Sequence, residues 1–363
     1  MSMTSRRGFM AGLVAAGACP RLSWADAGSP AFLSAGRAPN GHYAVFGLGR
    51  DGQPIFEIPL PARGHAAAAH PHRPQAVAFA RRPGRFVIVL DCVTGREVAR
   101  LEAPEGRHFY GHGAFSKQGD TLFTTENDYE AGQGCLGVWD VTNGYARVGE
   151  FSSGGVGPHD VRLMPDGQTL VVANGGIETH PESGRAKLNL PTMLPNLTYL
   201  SLQGEVQEQV TLSADERLNS IRHLDVRSDG LVAFAMQWQG DLSAARPVLG
   251  VHQRGQGPEL MSMTHAEALT MKGYGGSVVF WAKGQRLAVS SPRGNRVQLF
   301  DVAGRHVDGK LELEDVCGLG VLSDALIASA GTGEVFQVRQ QATRLWQSGV
   351  AWDNHLVAVN RGA

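Results

Sequence analysis

The chain has 363 residues, with 33 Lys and Arg against 34 Asp and Glu, a formal net charge of −1 at pH 7, 42% hydrophobic residues and 47 Gly. With no basic excess and no dense Lys/Arg run, nothing is present to track a phosphate backbone, which excludes nucleic acid as a partner. No segment beyond the N-terminal region is apolar for long enough to span a membrane.

Ser5-Arg6-Arg7-Gly8-Phe9-Met10 precedes the apolar stretch Ala11 to Ala18, too brief for a permanent span. Adjacent arginines ahead of Phe9 match a twin-arginine export signal, and Ala25-Asp26-Ala27 offers the small residues that a signal peptidase needs. Residues 1–27 therefore read as a signal peptide, and residues 28–363 as a single domain folded in the cytoplasm and exported to the periplasm. A rival reading lipidates Cys19, which follows Gly17-Ala18, although Ala16 stands where a lipobox carries Leu. Three cysteines follow, Cys92, Cys135 and Cys317, with no CxxC pair. An oxidising compartment permits one internal disulfide among them, Cys92 to Cys135 being the pairing to test.

Seven short β-type runs then recur: Ala76 to Ala80, Thr121 to Thr125, Thr169 to Ala173, Leu231 to Ala235, Arg286 to Ser290, Ala325 to Ser329 and Leu356 to Asn360. Strand-like segments precede several of them, as in His112 to Lys117, His159 to Met164, His223 to Ser228 and Ser277 to Ala282. The dipeptides between, such as Gly119-Asp120, Asp166-Gly167, Asp229-Gly230 and Asp353-Asn354, suit hairpin turns. A second series, apolar residue then Asp then Gly, appears in full at Leu90 to Gly95, Trp139 to Gly144 and Phe300 to Gly304. Weaker copies lie at Phe46 to Gly52, Leu200 to Gly204, Val251 to Gly255 and Phe336 to Gln341. Two independent series that both count to seven, at about 48 residues per unit, point to an all-β, seven-bladed β-propeller. The last unit, from about Leu345, is too short for four strands, so Ala31 to Ser34 is expected to complete it by pairing N- and C-terminal strands. Such closure leaves no exposed sheet edge and suits a monomer. Strand counting alone admits six or eight blades, and a pair of β-sandwiches is the alternative architecture. Glu259 to Met271 is the one plausible helix.

Departures from the repeat carry the functional clues, because binding chemistry lives on loops that the blades position. The longest insertion, Asn174 to Leu200, sets Glu178 and His180 beside Arg185 and Lys187. It reads equally as a solvated loop held by its own ion pairs. His65, His112, His159 and His223 open the first strand of four successive units, the strand that lines a propeller's channel. Converging imidazoles suit iron, copper or zinc. Register tempers this: aligning Thr121-Leu122 with Thr169-Leu170 puts His112 level with Asp160 instead of His159, and a one-residue slip turns a side chain to the other face.

Glu126-Asn127-Asp128 could take a cation or cap a turn, and Arg222 could recognise an anion or pair with an acid. Gly47 to Gly52 matches GxGxxG, yet a strand follows it, so it is a hairpin and implies no dinucleotide site. No GxSxG, HExxH or Walker A pattern occurs, and catalysis has no positive signature.

Several segments together resemble the bacterial family of unknown function called DUF1513. They are Arg107 to Ser116, Thr124 to Tyr129, Gly157 to Asp160, Val172 to Pro181, Ser220 to Leu224, Gly273 to Val278, Ser291 to Gly294 and Cys317-Gly318. The resemblance covers essentially the whole chain past the leader; Asp160 stands where the family motif is expected to carry Glu. It implies a propeller-type fold, twin-arginine export, and a neighbourhood of imelysin-like and dihaem-peroxidase-like proteins tied to periplasmic iron handling.

The leading expectation is a non-enzymatic accessory that binds or delivers iron or copper through His112, His159 and His223, with His108, Glu178 and His180 as neighbouring ligands. The alternative is an interaction scaffold for those iron-handling proteins, gripping them by the channel mouth or the long loop. A third is a metal-dependent lactonase or oxidoreductase with Glu178 or Asp160 as base.

Overall fold

The computed structural model describes residues 22–80, 85–184 and 186–359. The leader segment through Ala18, Cys19, Arg185 and Asn360 lie outside the described residues.

Seven antiparallel sheets make a seven-bladed β-propeller, with blade one at residues 64–102, blade two at 107–152, blade three at 158–211, blade four at 219–260, blade five at 277–312, blade six at 316–347, and a seventh that closes the ring. Six of the apolar runs are second strands of their blades, as Gln75–Ala80 and Thr169–Asn174 illustrate. Their side chains alternate between two faces, and both faces are covered by a neighbouring blade, so the run reads as continuously apolar. Ala76 and Ala78 enter one core, while Val77 and Phe79 enter the next. Among the described residues there are seven such cores, one between each pair of neighbouring blades, and the last joins the end of the ring to its beginning.

The Asp-to-Gly series marks the turn from third to fourth strand. Asp91 Oδ1 accepts the backbone N–H of Val93 and Thr94 at 2.9 and 2.8 Å, and Gly95 takes φ +70°. Asp140 Oδ1 repeats this with Thr142 and Asn143 at 2.9 and 3.2 Å, ahead of Gly144 at φ +61°. A carboxylate that mimics a turn, followed by the residue that tolerates positive φ, is why the signature is Asp then Gly. Gly47 to Gly52 is likewise a hairpin, between strands Tyr43–Leu48 and Pro54–Leu60.

The closing blade differs from the expected one. Leu345 belongs to the outer strand Ala342–Gln347 of the preceding blade. The N-terminal region supplies three whole strands, Phe32–Arg37, Tyr43–Leu48 and Pro54–Leu60, and the C-terminal region only the inner edge, Ala351–Trp352 and Val357–Ala358. Leu356 to Asn360 is thus not a seventh second strand, a place held by Phe32–Arg37. The expected helix Glu259 to Met271 also shrinks. Glu259–Leu260 joins blade four as its outer strand, and the helix begins only where a capping box of Thr264 and Glu267 starts His265–Thr270. The expected Cys92–Cys135 disulfide is absent: Cys92, Cys135 and Cys317 are free and buried, the first two in different blades.

Trp24 and Ala27, on the leader side of the cleavage expected at residue 27, pack in the core between the closing blade and its neighbour, and Trp24 Nε1 donates to His70 O at 3.0 Å. Among the described residues no helix is long and apolar enough to cross a membrane.

Candidate metal centre

The innermost strands, Gly64–Ala69, Arg107–Phe115, Pro158–Leu163 and Asn219–Val226, carry the four histidines to the axis. Regular pairing would face them inconsistently, yet each strand breaks register at or beside its histidine, at Arg222 in the case of His223. The shifts lie between Gly64 and Ala67, Phe109 and Gly113, Pro158 and Asp160, and Ile221 and His223. A bulge lodges an extra residue and re-aims its side chain, which resolves the register conflict between His112 and His159. The inner strand Ser277–Trp281 pairs without a shift and contributes no imidazole, and Val316–Leu322, which shifts between Val316 and Leu319, contributes none either.

Gly111 makes the convergence possible. Its φ is +102°, and a Cβ there would stand 2.6 Å from Cδ2 of His65. A fifth imidazole, His355, comes from the connection between Ala351–Trp352 and Val357–Ala358, where its carbonyl accepts Ser34 Oγ at 2.9 Å.

The rings form one cluster. Nε2 of His112 lies 3.3 Å from Nε2 of His65. The His355 ring centroid is 4.9, 4.8 and 4.8 Å from those of His65, His112 and His223, and His159 lies 4.7 Å from His223. Two groups bring their ligand atoms within 4.8 Å of one another and could hold a metal ion: His65, His112 and His355, and His112, His159 and His223. His112 belongs to both.

Carboxylates stand behind two rings, Asp160 Oδ1 at 3.3 Å from His112 Nδ1 and Asp353 Oδ1 at 3.9 Å from His65 Nδ1. Asp160 also accepts the backbone N–H of Leu224 at 3.0 Å, tying blade three to blade four. Burial pulls its carboxyl upward, but Arg162 and His112 prevail and hold it below the usual carboxylate range. Burial holds His159, His223 and His355 well below the ordinary imidazole value, reinforced by Arg222 at His159 and by His112 at the other two. All three imidazoles are neutral at neutral pH, and His159 Nδ1, His223 Nδ1 and His355 Nε2 are buried without a hydrogen-bond partner.

The cluster divides the channel. On one side a chamber of about 480 Å³ touches His112, His355, Asp160, Asp225, Arg50 and Arg162. On the other, one of about 340 Å³ touches His65, His159 and His223 together with Lys187, Arg222 and Arg293.

Of the residues singled out in the sequence, His112, His159 and His223 are brought together, while His108, Glu178 and His180 lie outside the cluster. His108 uses both ring nitrogens locally, Nδ1 with Phe109 O at 3.0 Å and Nε2 with Asn127 Nδ2 at 3.2 Å. His180 packs edge-on to Tyr129 at 5.0 Å, with Glu130 3.8 Å away. Glu178 is part-buried in the long loop, where its N–H donates to Asn189 Oδ1. Glu126 is fully buried and forked by Arg147 at 2.8 and 2.9 Å, a structural ion pair in blade two. The sequence reasoning missed His355 and Asp353. Asp353-Asn354, expected to be a hairpin turn, instead joins two short strands that both pair with Phe32–Arg37, and with His355 it was the only signal for them.

The model of a family described as "Protein of unknown function (DUF1513)" matches residues 58–359. No curated protein matches the chain. Among 1090 matching chains of solved structures is Kuenenia stuttgartiensis Hydrazine Synthase, at TM-score 0.61 and 14% identity, covering 90% of this chain and 99% of that one. At that identity the likeness is one of fold, and a fold so widely shared selects no activity.

Proposed function

The chain belongs to the DUF1513 family, and from its axial cluster we propose that it is a transition-metal-binding propeller, an accessory that binds or delivers iron or copper. The observation that carries this reading is the 3.3 Å approach of His65 Nε2 to His112 Nε2 with a carboxylate behind each ring. Asp353 and Asp160 favour a proton on each Nδ1, which leaves two lone pairs facing each other. A cation between them relieves that conflict. Two nitrogens bonded to one tetrahedral ion at about 2.0 to 2.1 Å stand about 3.3 Å apart. Five imidazoles and no thiolate in the cluster favour iron, copper or zinc over magnesium or calcium.

The Arg6-Arg7 leader supports a periplasmic location reached by the already folded protein, a route compatible with an ion inserted beforehand. A metal-dependent enzyme is the second reading, favoured by the 340 Å³ chamber that opens onto His159 and His223. A three-histidine set leaves coordination positions for a substrate there.

The test is elemental analysis of protein purified from the periplasm. Stoichiometric iron or copper that disappears in His112→Ala, the residue common to both groups, is the expected result. Protein isolated without metal, whose melting temperature ignores added Fe(II), Cu(II) and Zn(II), overturns the reading.

A further inference from the structure

The two chambers flanking the histidines differ in charge. The larger one balances Arg50 and Arg162 against Asp160 and Asp225. The smaller one takes cations from three places in the fold and has no carboxylate side chain in its lining. Lys187 comes from the long loop of blade three, Arg222 from the inner strand Asn219–Val226, and Arg293 from the turn after Arg286–Ser291.

These cations are positioned, not trailing. The long loop is clasped by its own Asn189, which accepts Glu178 N–H at 2.7 Å and donates to Gly176 O at 2.9 Å, while Leu188 N–H reaches Glu178 O at 3.0 Å. Lys187 is therefore set at the chamber wall by its neighbour in sequence. Arg293 lies over the Tyr274 ring at 4.6 Å, a contact that fixes a guanidinium without neutralising it. Among the described residues neither Lys187 nor Arg293 makes an ion pair. Burial, then Arg222 and Arg293, push the Lys187 amine below its ordinary value, so the three charges feel one another.

We propose that this chamber binds a small, multiply charged oxyanion, a polycarboxylate or a phosphate, seated between Lys187, Arg222 and Arg293 with the imidazoles of His159 and His223 as its floor. Like charges around a half-open concave space repel until an anion enters, and low-dielectric walls strengthen the attraction once it does. Guanidinium forks match carboxylate and phosphate oxygens alike. The space of about 340 Å³ suits a metabolite-sized anion and not a polymer. Charge recognition needs no metal; only contact between the anion's oxygens and an ion at the histidines rests on the reading above.

The experiment is calorimetric titration of the exported protein, stripped with chelator and separately metal-loaded, with tricarballylate, inorganic phosphate, acetate and glycerol. The expected result is that tricarballylate or phosphate binds the metal-free protein more tightly than acetate or glycerol, and more weakly as salt is raised. Whichever of the two binds better identifies the anion class. Lys187→Gln with Arg293→Gln, both exposed positions, weakens binding at least about tenfold, with metal content and melting temperature unchanged; Arg222→Gln acts in the same direction. If neither polyanion binds more tightly than acetate, or if the double variant binds as well as the parent, the proposal falls. Absence of metal with anion binding intact fails the metal reading alone.

Discussion

The Nε2 atoms of His65 and His112 face each other at 3.3 Å from the inner strands of adjacent blades. What holds the second ring in that pose is Asp160, at 3.3 Å from its Nδ1. A carboxylate in this position raises ligand basicity and fixes the tautomer, and losing it usually lowers metal affinity about 10- to 100-fold. Asp160→Asn is expected to show that loss in a chelator-competition titration. Because Oδ1 and Oδ2 accept from Val161 and Leu224 and an amide offers one oxygen, a stability loss of about 1 to 3 kcal/mol accompanies it. Unaltered affinity would remove Asp160 from the metal centre.

Gly111 makes room for His65. Gly111→Ala adds a methyl 2.6 Å from Cδ2 of that ring at a φ of +102°, so the imidazole must move away from His112. Expected are weaker metal binding and a destabilisation of about 1 to 3 kcal/mol from strain at a left-handed residue. Denaturant titration and metal titration read the two effects separately.

Acid sensitivity follows from His70, outside the cluster. Its Nδ1 accepts the N–H groups of His72 and Arg73, both at 3.0 Å, and its Nε2 contacts Gly119 O at 3.0 Å. Burial, then Arg73, bring its pKa down from 6.5 to about 4. Above pH 6.5 both folded and unfolded chains carry a neutral ring, and this stabilisation is fully present. Between 6.5 and about 4 the unfolded chain takes up a proton that the folded chain refuses, so stability falls as pH falls. His70→Asn, whose oxygen can accept the same two N–H groups, is expected to flatten part of that slope in urea midpoints measured at pH 7, 5.5 and 4.5. An identical slope in the variant would place the sensitivity elsewhere.

In blade two, Glu126 is fully buried and held by both guanidinium nitrogens of Arg147. Arg147→Ala strands a buried carboxylate and is expected to cost about 3 to 5 kcal/mol. Replacing both partners with Leu costs less, since no uncompensated charge remains. Equal losses from the single and double variants would show that packing, including the guanidinium 5.0 Å from the Trp139 ring, dominates instead.

On the proposed export route, the mature chain is expected to begin upstream of Trp24, because that side chain fills a core position and its indole N–H is bonded to His70 O. The intact mass of protein recovered from a periplasmic fraction decides this. Cleavage after Ala27 would instead leave a protein lacking that plug.

The blades were legible in the sequence because two devices repeat: an apolar second strand covered on both faces, and an Asp that folds its own turn ahead of a Gly, as Asp91 and Gly95 do. The closing blade was not, since its inner edge is two short pieces interrupted at Asp353 to Leu356 and carries no repeat pattern. Four of the five axial histidines were visible in the sequence and read as strand openers, a place that His65 and His159 hold while His112 and His223 lie in mid-strand. Their convergence was not visible, because a bulge is a backbone event with no fixed residue signature. The chamber's cations were scattered in sequence, and Arg293, in an ordinary turn, gave no sign of facing Lys187 and Arg222.

His355 lies between Ala351–Trp352 and Val357–Ala358, the last strands among the described residues, whereas His112, His159 and His223 belong to three consecutive blades in mid-chain. During synthesis the mid-chain trio can therefore assemble before residue 355 is made, while the trio of His65, His112 and His355 exists only after the segment carrying His355 has paired with Phe32–Arg37. On the proposed reading, ion capture by that second trio is then a chemical signature of a completed ring, which a chain truncated before Ala351 could never acquire.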